Sequence, residues 1–266
     1  MFIHNFDPIL LDFGLIKIRW YSIAYIIGIT VGWWLGKKIL DFKIKSQNIE
    51  FEIKKFDDLI TYLIFAIILG GRLGYVFFYN LGYYSNNPLD ILKIWEGGMS
   101  FHGALIGVII ATFLFAKKSN VSSLLFLDII SCVTPIGLFF GRVANFINSE
   151  LYGIETDVSW AVKFIKVDNL YRHPTQLYEA VFEGIILFLI LLFFREKNIP
   201  KKPGFVSGLF LIFYSFFRFI IEFFRVPDEQ LGYLLFNLTM GQIISFLFLL
   251  IGGYLALTKY DIKKKL

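Results

Sequence analysis

Cysteine is almost absent from this sequence. Cys132 is the only one in 266 residues, and it lies inside an apolar run, so neither an intramolecular disulfide nor a cysteine-based metal site can form. With no activating group near it in sequence, it reads as a buried, inert thiol and a poor nucleophile. Histidine is nearly as scarce: His4, His102 and His173 are the only three, and His102 has no second ligand at zinc spacing. Charge is low as well, at 18% of residues where a soluble domain carries about 25%. The N-terminal stretch holds Asp7 and Asp12 and lacks a basic segment followed by a short apolar one, so no cleaved signal peptide is expected. No repeat of 20–50 residues recurs, which argues against a transporter built from inverted halves.

Apolar residues make up 57% of the chain, with 32 phenylalanines and a mean hydropathy of +0.66. About 20 such residues span a bilayer. Seven runs qualify, at 20–36, 57–79, 98–116, 124–142, 177–194, 205–224 and 237–257. They predict an all-α, polytopic integral membrane protein with seven transmembrane helices, forming one transmembrane domain over residues 1–266. The connecting segments alternate in charge. The 37–56, 117–123 and 195–204 loops and the C-terminal tail hold sixteen basic residues, against seven on the opposite side and three within runs. The positive-inside rule then places the C-terminus in the cytoplasm and the N-terminus outside, together with a long 143–176 loop. The net charge of +5 belongs to these cytoplasmic loops and anionic lipid, and not to nucleic acid.

Polar residues inside the runs are the exceptions that point to function. The stretch Gly141-Arg-Val-Ala-Asn-Phe-Ile-Asn-Ser-Glu-Leu-Tyr-Gly153 sits where the fourth run leaves lipid, and its two glycines suggest close backbone approach at both ends. A buried arginine in a bilayer costs about 2.5–3.5 kcal/mol or more and faces a partner or a wet cavity. Arg142, Asn145 and Ser149 share a face if the helix continues that far, and a guanidinium with amide donors suits a phosphate. In the second run, Gly70 and Gly74 form a Gly-x-x-x-Gly step beside Arg72, whose partner is Glu96 or Glu150. Trp20 and Tyr21 open the first run as an interfacial aromatic pair. His102 opens the third run among glycines, with room to meet a ligand, as a base or as a binder. Pro135 is placed to kink the fourth run, and Thr175 to cap the fifth. Glu179 and Glu183, in the outer turns of the fifth, call for a cation from Arg142, Arg218 or Arg72. Tyr214, Arg218, Glu222 and Arg225 recur along one stripe of the sixth run, and their surplus positive charge calls for an anion. Asp228 to Gly232 then turns the chain back at the interface.

The 141–153 stretch resembles the signature of the prolipoprotein diacylglyceryl transferase family. The resemblance extends through Arg19-Trp-Tyr21, Gly-Gly-Arg72, Gly-Gly-Met-Ser-Phe-His102-Gly, His173-Pro-Thr-Gln-Leu-Tyr-Glu179 and Arg218 through Gly232. Ala104 departs from the glycine expected there. The family implies a seven-span fold in the bacterial inner membrane. It also implies transfer of the sn-1,2-diacylglyceryl group of phosphatidylglycerol to the lipobox cysteine of a prolipoprotein, with a thioether formed and glycerol-1-phosphate released. Its functional residues fall on Tyr21, His102, Arg142, Asn145, Glu150, Gly153, Tyr214, Arg218, Glu222 and Arg225. The substrate thiol is the nucleophile, so no nucleophile, metal or cofactor of the protein's own is expected.

On this resemblance Arg142 and Arg218 form a phosphate clamp with Asn145 as an added donor, and Glu222 and Glu150 orient the arginines. His102 and Tyr214 are the candidates for taking the thiol proton or holding the glycerol head. Arg225 holds the prolipoprotein or a second lipid head group. The alternative reading is a transporter of an anionic head group or small anion. A seven-span photoreceptor is disfavoured, because the last run has no lysine for a Schiff base.

Overall fold

A computed structural model describes residues 1–14, 17–198, 202–227 and 232–258. In chain order its helices are α1 Trp20–Gln47, α2 Lys55–Tyr79, the short α3 Leu81–Asn86, α4 Phe101–Ser119 and α5 Ser123–Asn148. Then come α6 Thr175–Glu179, which continues through a π-helical stretch Ala180–Ile186 into α7 Leu187–Asn198, followed by α8 Phe205–Ile221 and α9 Met240–Leu257. Taking α6 to α7 as one rod, seven helices among the described residues are long and apolar enough to cross a membrane. The chain is a polytopic, mainly helical membrane protein.

Each predicted run has its helix, and α1 and α5 continue furthest past the predicted ends. α1 extends past the predicted end at 36 as a polar helix, with Lys45 and Asp41 paired one turn apart at 2.6 Å. α5 runs unbroken through Pro135 to Asn148, which carries Arg142 and Asn145 on helical backbone. The predicted 143–176 loop is thus helical at both ends, and its middle is partly β. Strand β1 (Phe2–His4) pairs in parallel with β4 (Val162–Phe164), which pairs antiparallel with β5 (Tyr171–Arg172). A separate hairpin joins β2 (Ile9–Asp12) to β3 (Lys17–Arg19). The fold is therefore not purely α. The predicted turn at Asp228–Gly232 falls mostly outside the described residues, as do Lys259 and the three lysines at 263–265 of the basic tail.

The chain forms two compact units, one of Lys37–Leu127 and one of Met1–Gly36 with the described residues from Asp128 onward. In the first, α2 and α4 cross on glycine. A Cβ added to Gly103 would lie 2.8 Å from the Gly74 Cα and closer still to the Gly70 carbonyl oxygen. One added to Gly70 would lie 3.2 Å from the Gly107 Cα. The Gly70-x-x-x-Gly74 step is met by a second such step, Gly103-x-x-x-Gly107, and not by position 104, where this chain carries alanine. Ser100 starts α4 by accepting from the Gly103 N–H at 3.2 Å, and its own N–H donates to the Gly71 carbonyl at 2.8 Å.

Arg72 is buried in this unit, and its hydrogen bonds among the described residues go to backbone carbonyls. Nε donates to Ile91 O, Nη1 to Gly97 O and Gly98 O, and Nη2 to Asp90 O and Lys93 O, at 2.5–3.3 Å. All five guanidinium N–H groups thus meet backbone carbonyls, while the Tyr84 ring lies 5.2 Å from its centre. Either Glu96 or Glu150 had been expected as its partner; carbonyl dipoles satisfy the guanidinium among the described residues, and the Glu96 side chain lies outside them.

In the second unit α1 approaches α5 closely, since a Cβ on Gly28 would sit 3.1 Å from the Gly137 Cα. Asp128, buried near the start of α5, accepts from the Gly204 N–H, the Ser207 N–H and the Ser207 hydroxyl at 2.8–3.0 Å. It caps α8 with negative charge at the positive end of the helix. Beyond the far end of α5, Ser149 (φ 60°) and Leu151 (φ 57°) turn the chain into the β cap. His4 is fully buried there among the rings of Phe6, Phe146 and Phe164, with Nδ1 3.2 Å from the Ser149 hydroxyl. Ser149 therefore serves the cap and does not extend the Arg142 face.

Two outcomes are expected. Gly103→Ala should lower the midpoint of thermal unfolding in detergent by overpacking worth about 1–3 kcal/mol. Gly253→Ala, whose added Cβ meets nothing within 4 Å, should not. Burial holds the His4 imidazole below its ordinary pKa of 6.5, so the unfolded chain binds more protons near and below that pH. Stability from this group is present above pH 6.5 and lost on acidification. The thermal midpoint should fall between pH 7 and 5, and fall less in His4→Phe.

Candidate functional site

The charged groups of the second unit collect where α5, α6 with its π-helical continuation, and α8 meet. α5 contributes Arg142. Glu179 ends α6 and Glu183 lies in the π-helical stretch, and both are fully buried. α8 contributes Arg218, and the chain just beyond it contributes Glu222 and Arg225. Gly184 makes the approach possible: a Cβ there would fall 2.7 Å from the Phe139 Cβ, so no larger residue lets α5 come this close.

Glu179 is the hub. Arg218 Nη1 donates to its Oε1, Arg225 Nη1 lies 3.6 Å from the same oxygen, and Arg142 Nε lies 3.2 Å from Oε2. Glu183 faces two of these arginines at longer range, 3.5 Å from Arg142 Nη2 and 3.8 Å from Arg218 Nη1. Glu222 takes the remaining arm of Arg218, with Nη2 2.8 Å from Oε2. Its carboxylate rests against Gly241 of α9, where a Cβ would come within 2.8–2.9 Å of it. The Arg142 and Arg218 side chains keep 16% and 11% of their surface exposed, so each still offers a face to a ligand.

A polar chain adjoins this cluster one turn along α5. Asn145 Nδ2 donates to the Tyr21 hydroxyl at the start of α1, and to Glu150 Oε2 at 3.3 Å. Asn148 Nδ2 donates to Glu150 Oε1 at 3.4 Å. Glu150 thus orients the asparagines, where the sequence suggested an arginine. Tyr214, one turn before Arg218 on α8, stacks on Phe210 with ring centroids 5.6 Å apart.

Arg225 reaches Glu179 from a different backbone than expected. α8 ends at Ile221, a short 3-10 turn spans Glu222–Phe224, and Arg225 is extended, so the stripe predicted on one helix stops at Glu222. Arg225 is placed by a β-bridge to Gly153. Gly153 is crowded: a Cβ would lie 2.5–2.6 Å from the His173 carbonyl oxygen and Cβ and from the Phe224 carbonyl oxygen. Gly141, at the other end of the signature stretch, has nothing within 4 Å, so close approach occurs at one end only. Around this junction Thr175 donates to the Leu151 carbonyl at 2.9 Å and does not cap α6, which starts after Pro174. Gln176 Nε2 donates to the Glu150 carbonyl at 2.6 Å. Burial lowers the pKa of His173, whose Nδ1 lies 3.0 Å from the Tyr178 hydroxyl.

Nine of the ten sequence-derived site residues belong to this unit. His102, the tenth, is the second residue of α4 in the Lys37–Leu127 unit, half-buried, with its ring against Phe101. Two residues missing from that set are central here, Glu179 and Glu183. Their signal was present, as two acids in an apolar run that required cations; which cations they meet is a matter of tertiary structure. With them counted, three arginines face three glutamates, so the surplus positive charge inferred from α8 alone is balanced.

Comparison with known proteins gives the family. The family model for prolipoprotein diacylglyceryl transferase matches residues 8–258. The chain is 51% identical over 253 residues to a phosphatidylglycerol–prolipoprotein diacylglyceryl transferase of Rickettsia felis, covering 94% of this chain and 96% of that protein. It is 52% identical over 257 residues to the protein of the same name from Rickettsia typhi, covering 96% and 97%. A third relative of that name, from Rickettsia bellii, is 51% identical over 252 residues, 94% of each chain.

Crowding at Gly153 makes a sharp contrast with Gly141. Gly153→Ala should lose about 1–3 kcal/mol through overpacking against backbone that cannot swing aside, while Gly141→Ala should stay within about 0.5 kcal/mol of the parent. Thermal unfolding and the rate of proteolysis within residues 149–174 measure both.

Proposed function

We infer the chemistry of this site from one premise: the chain belongs to the prolipoprotein diacylglyceryl transferase family. It is a transferase that moves a diacylglyceryl group to prolipoproteins. The donor in this reading is phosphatidylglycerol, as the names of the relatives suggest. The acceptor is the lipobox cysteine thiol, and the setting is the bacterial inner membrane, with the N-terminus outside and the site toward the outer leaflet. The observation that carries the reading is the pair of arginines, Arg142 and Arg218, held by fully buried glutamates while each keeps an exposed face.

The attacked carbon is the glycerol carbon bonded to the phosphate oxygen. Sulfur bonds to that carbon, the carbon–oxygen bond breaks with its electrons going to the phosphate, and glycerol-1-phosphate leaves. Charge therefore grows on phosphate oxygens. Guanidinium forks fixed by carboxylates meet that charge without reorganising. Glu179 fixes both forks at once, and Glu222 fixes Arg218 from the opposite side. Asn145, tied to Tyr21 and Glu150, supplies a neutral donor beside Arg142. Gly153 sets Arg225 in place for the prolipoprotein or a second head group. His102 and Tyr214 remain the candidates for the thiol proton or the glycerol head.

The bilayer holds one substrate and the prolipoprotein is the other, and the scheme calls on no metal and no nucleic acid. The transporter reading shares the arginines, but the sequence lacks the internal repeats from which such transporters are built.

Purified protein, phosphatidylglycerol and a lipobox peptide should yield glycerol phosphate and a matching mass gain on the peptide. A transporter would give neither. Arg142→Ala and Arg218→Ala should each lose about 10²–10³-fold in turnover, the cost of one oxyanion donor. Arg218→Lys should recover little, because an ammonium lacks the fork.

A further inference from the structure

The six charges at the α5, α6 and α8 junction already cancel before any lipid arrives. Arg142, Arg218 and Arg225 face Glu179, Glu183 and Glu222, with every contact above between 2.8 and 3.8 Å apart from the shorter Arg218–Glu179 bond. A phosphodiester head group brings one more negative charge to the same guanidinium groups. In a buried, water-poor setting an uncompensated charge is costly, and a carboxylate answers by taking a proton.

The three glutamates are not equally held. Glu179 contacts three arginines, one of them by a direct hydrogen bond. Glu222 lies 2.8 Å from Arg218 Nη2. Glu183 is fully buried, neither of its oxygens has a hydrogen-bond partner among the described residues, and its nearest arginine nitrogens are at 3.5 and 3.8 Å. The groups facing it are Arg142 from α5, Tyr214 and Arg218 from α8, Arg225 from beyond α8, and Glu179 one turn before it. It sits in the π-helical stretch, a local irregularity that recurs at functional sites.

Resting on the function proposed above, we propose that Glu183 takes up a proton when an anionic phosphodiester docks on Arg142 and Arg218, so that the site binds its lipid and one proton together. The carboxyl gains a proton from solvent, no bond to the lipid forms or breaks, and the occupied cluster is neutral again. The same balance favours a monoanionic diester over a dianionic monoester, since one proton offsets one charge. The leaving glycerol phosphate, with a second ionisation near pH 6, is then disfavoured as it forms.

Binding of a short-chain phosphatidylglycerol to the full-length protein in detergent, from pH 5.5 to 8.5, tests this. The diester keeps one negative charge throughout, so any pH dependence belongs to the protein. Affinity should fall with rising pH, approaching tenfold per unit where the free site is ionised and the occupied site protonated. Calorimetry in buffers of different protonation enthalpy should give close to one proton taken up per lipid. Glu183→Gln, isosteric with the protonated acid, should bind with a flat profile and no uptake. Glu179→Gln should bind more weakly and keep the pH dependence. A flat wild-type profile without uptake, or an unchanged slope in Glu183→Gln, overturns the proposal while the function stands. Absence of lipid binding at every pH overturns both.

Discussion

One carboxylate, that of Glu179, holds this site together. It is fully buried, and three arginines from three different backbone segments converge on it. None of those arginines could remain inside an apolar bundle alone, and neither could the glutamate. Breaking such a buried pair by removing one partner costs about 3–5 kcal/mol, because a charge is left uncompensated. The cluster is thus better understood as a fixed arrangement of charge than as a source of stability. Its use is that the guanidinium groups are already oriented when a phosphate reaches them.

Small residues let this arrangement form. Gly184 admits α5 to the π-helical stretch, Gly241 makes room for the Glu222 carboxylate, and Gly153 admits the extended chain that delivers Arg225. Each is a place where helices or strands come closer than a side chain permits, as in membrane bundles generally. The β cap adds a second tie. His4 and Ser149 fasten the N-terminal strand to the end of α5, and Gly153 fastens the cap to Arg225. The geometry of the arginines therefore depends on chain outside the helices as much as on the helices themselves.

Much of the fold was legible because membrane spans announce themselves by length and hydropathy. Arg142, Arg218 and Glu222 were legible for the converse reason, since charge inside an apolar run needs an explanation. Pairing was not legible. Glu179 and Glu183 called for cations, but spacing along one helix cannot choose a partner on another. Arg72 was expected to meet an acid because side chains are what a sequence displays, whereas the five partners described for it are backbone carbonyls of one short segment. Helix ends also misled: Arg225 looked like the fourth member of a stripe, and the early end of α8 moved it to a β-bridge. The β cap left no sign at all, since its strands are two to four residues long.

Arg72 has one more implication. The Asp90–Gly98 segment is built from two short 3-10 turns, Pro88–Leu92 and Ile94–Glu96, and a single guanidinium gathers five of its carbonyls, that of Asp90 also accepting from the Lys93 N–H. A carbonyl without a partner near hydrocarbon is expensive, and here five would lose the same donor group in one event. The segment therefore behaves as an arch on one keystone. Because it leads directly into Ser100 and the first turn of α4, the same guanidinium ties down the chain that enters the helix carrying His102.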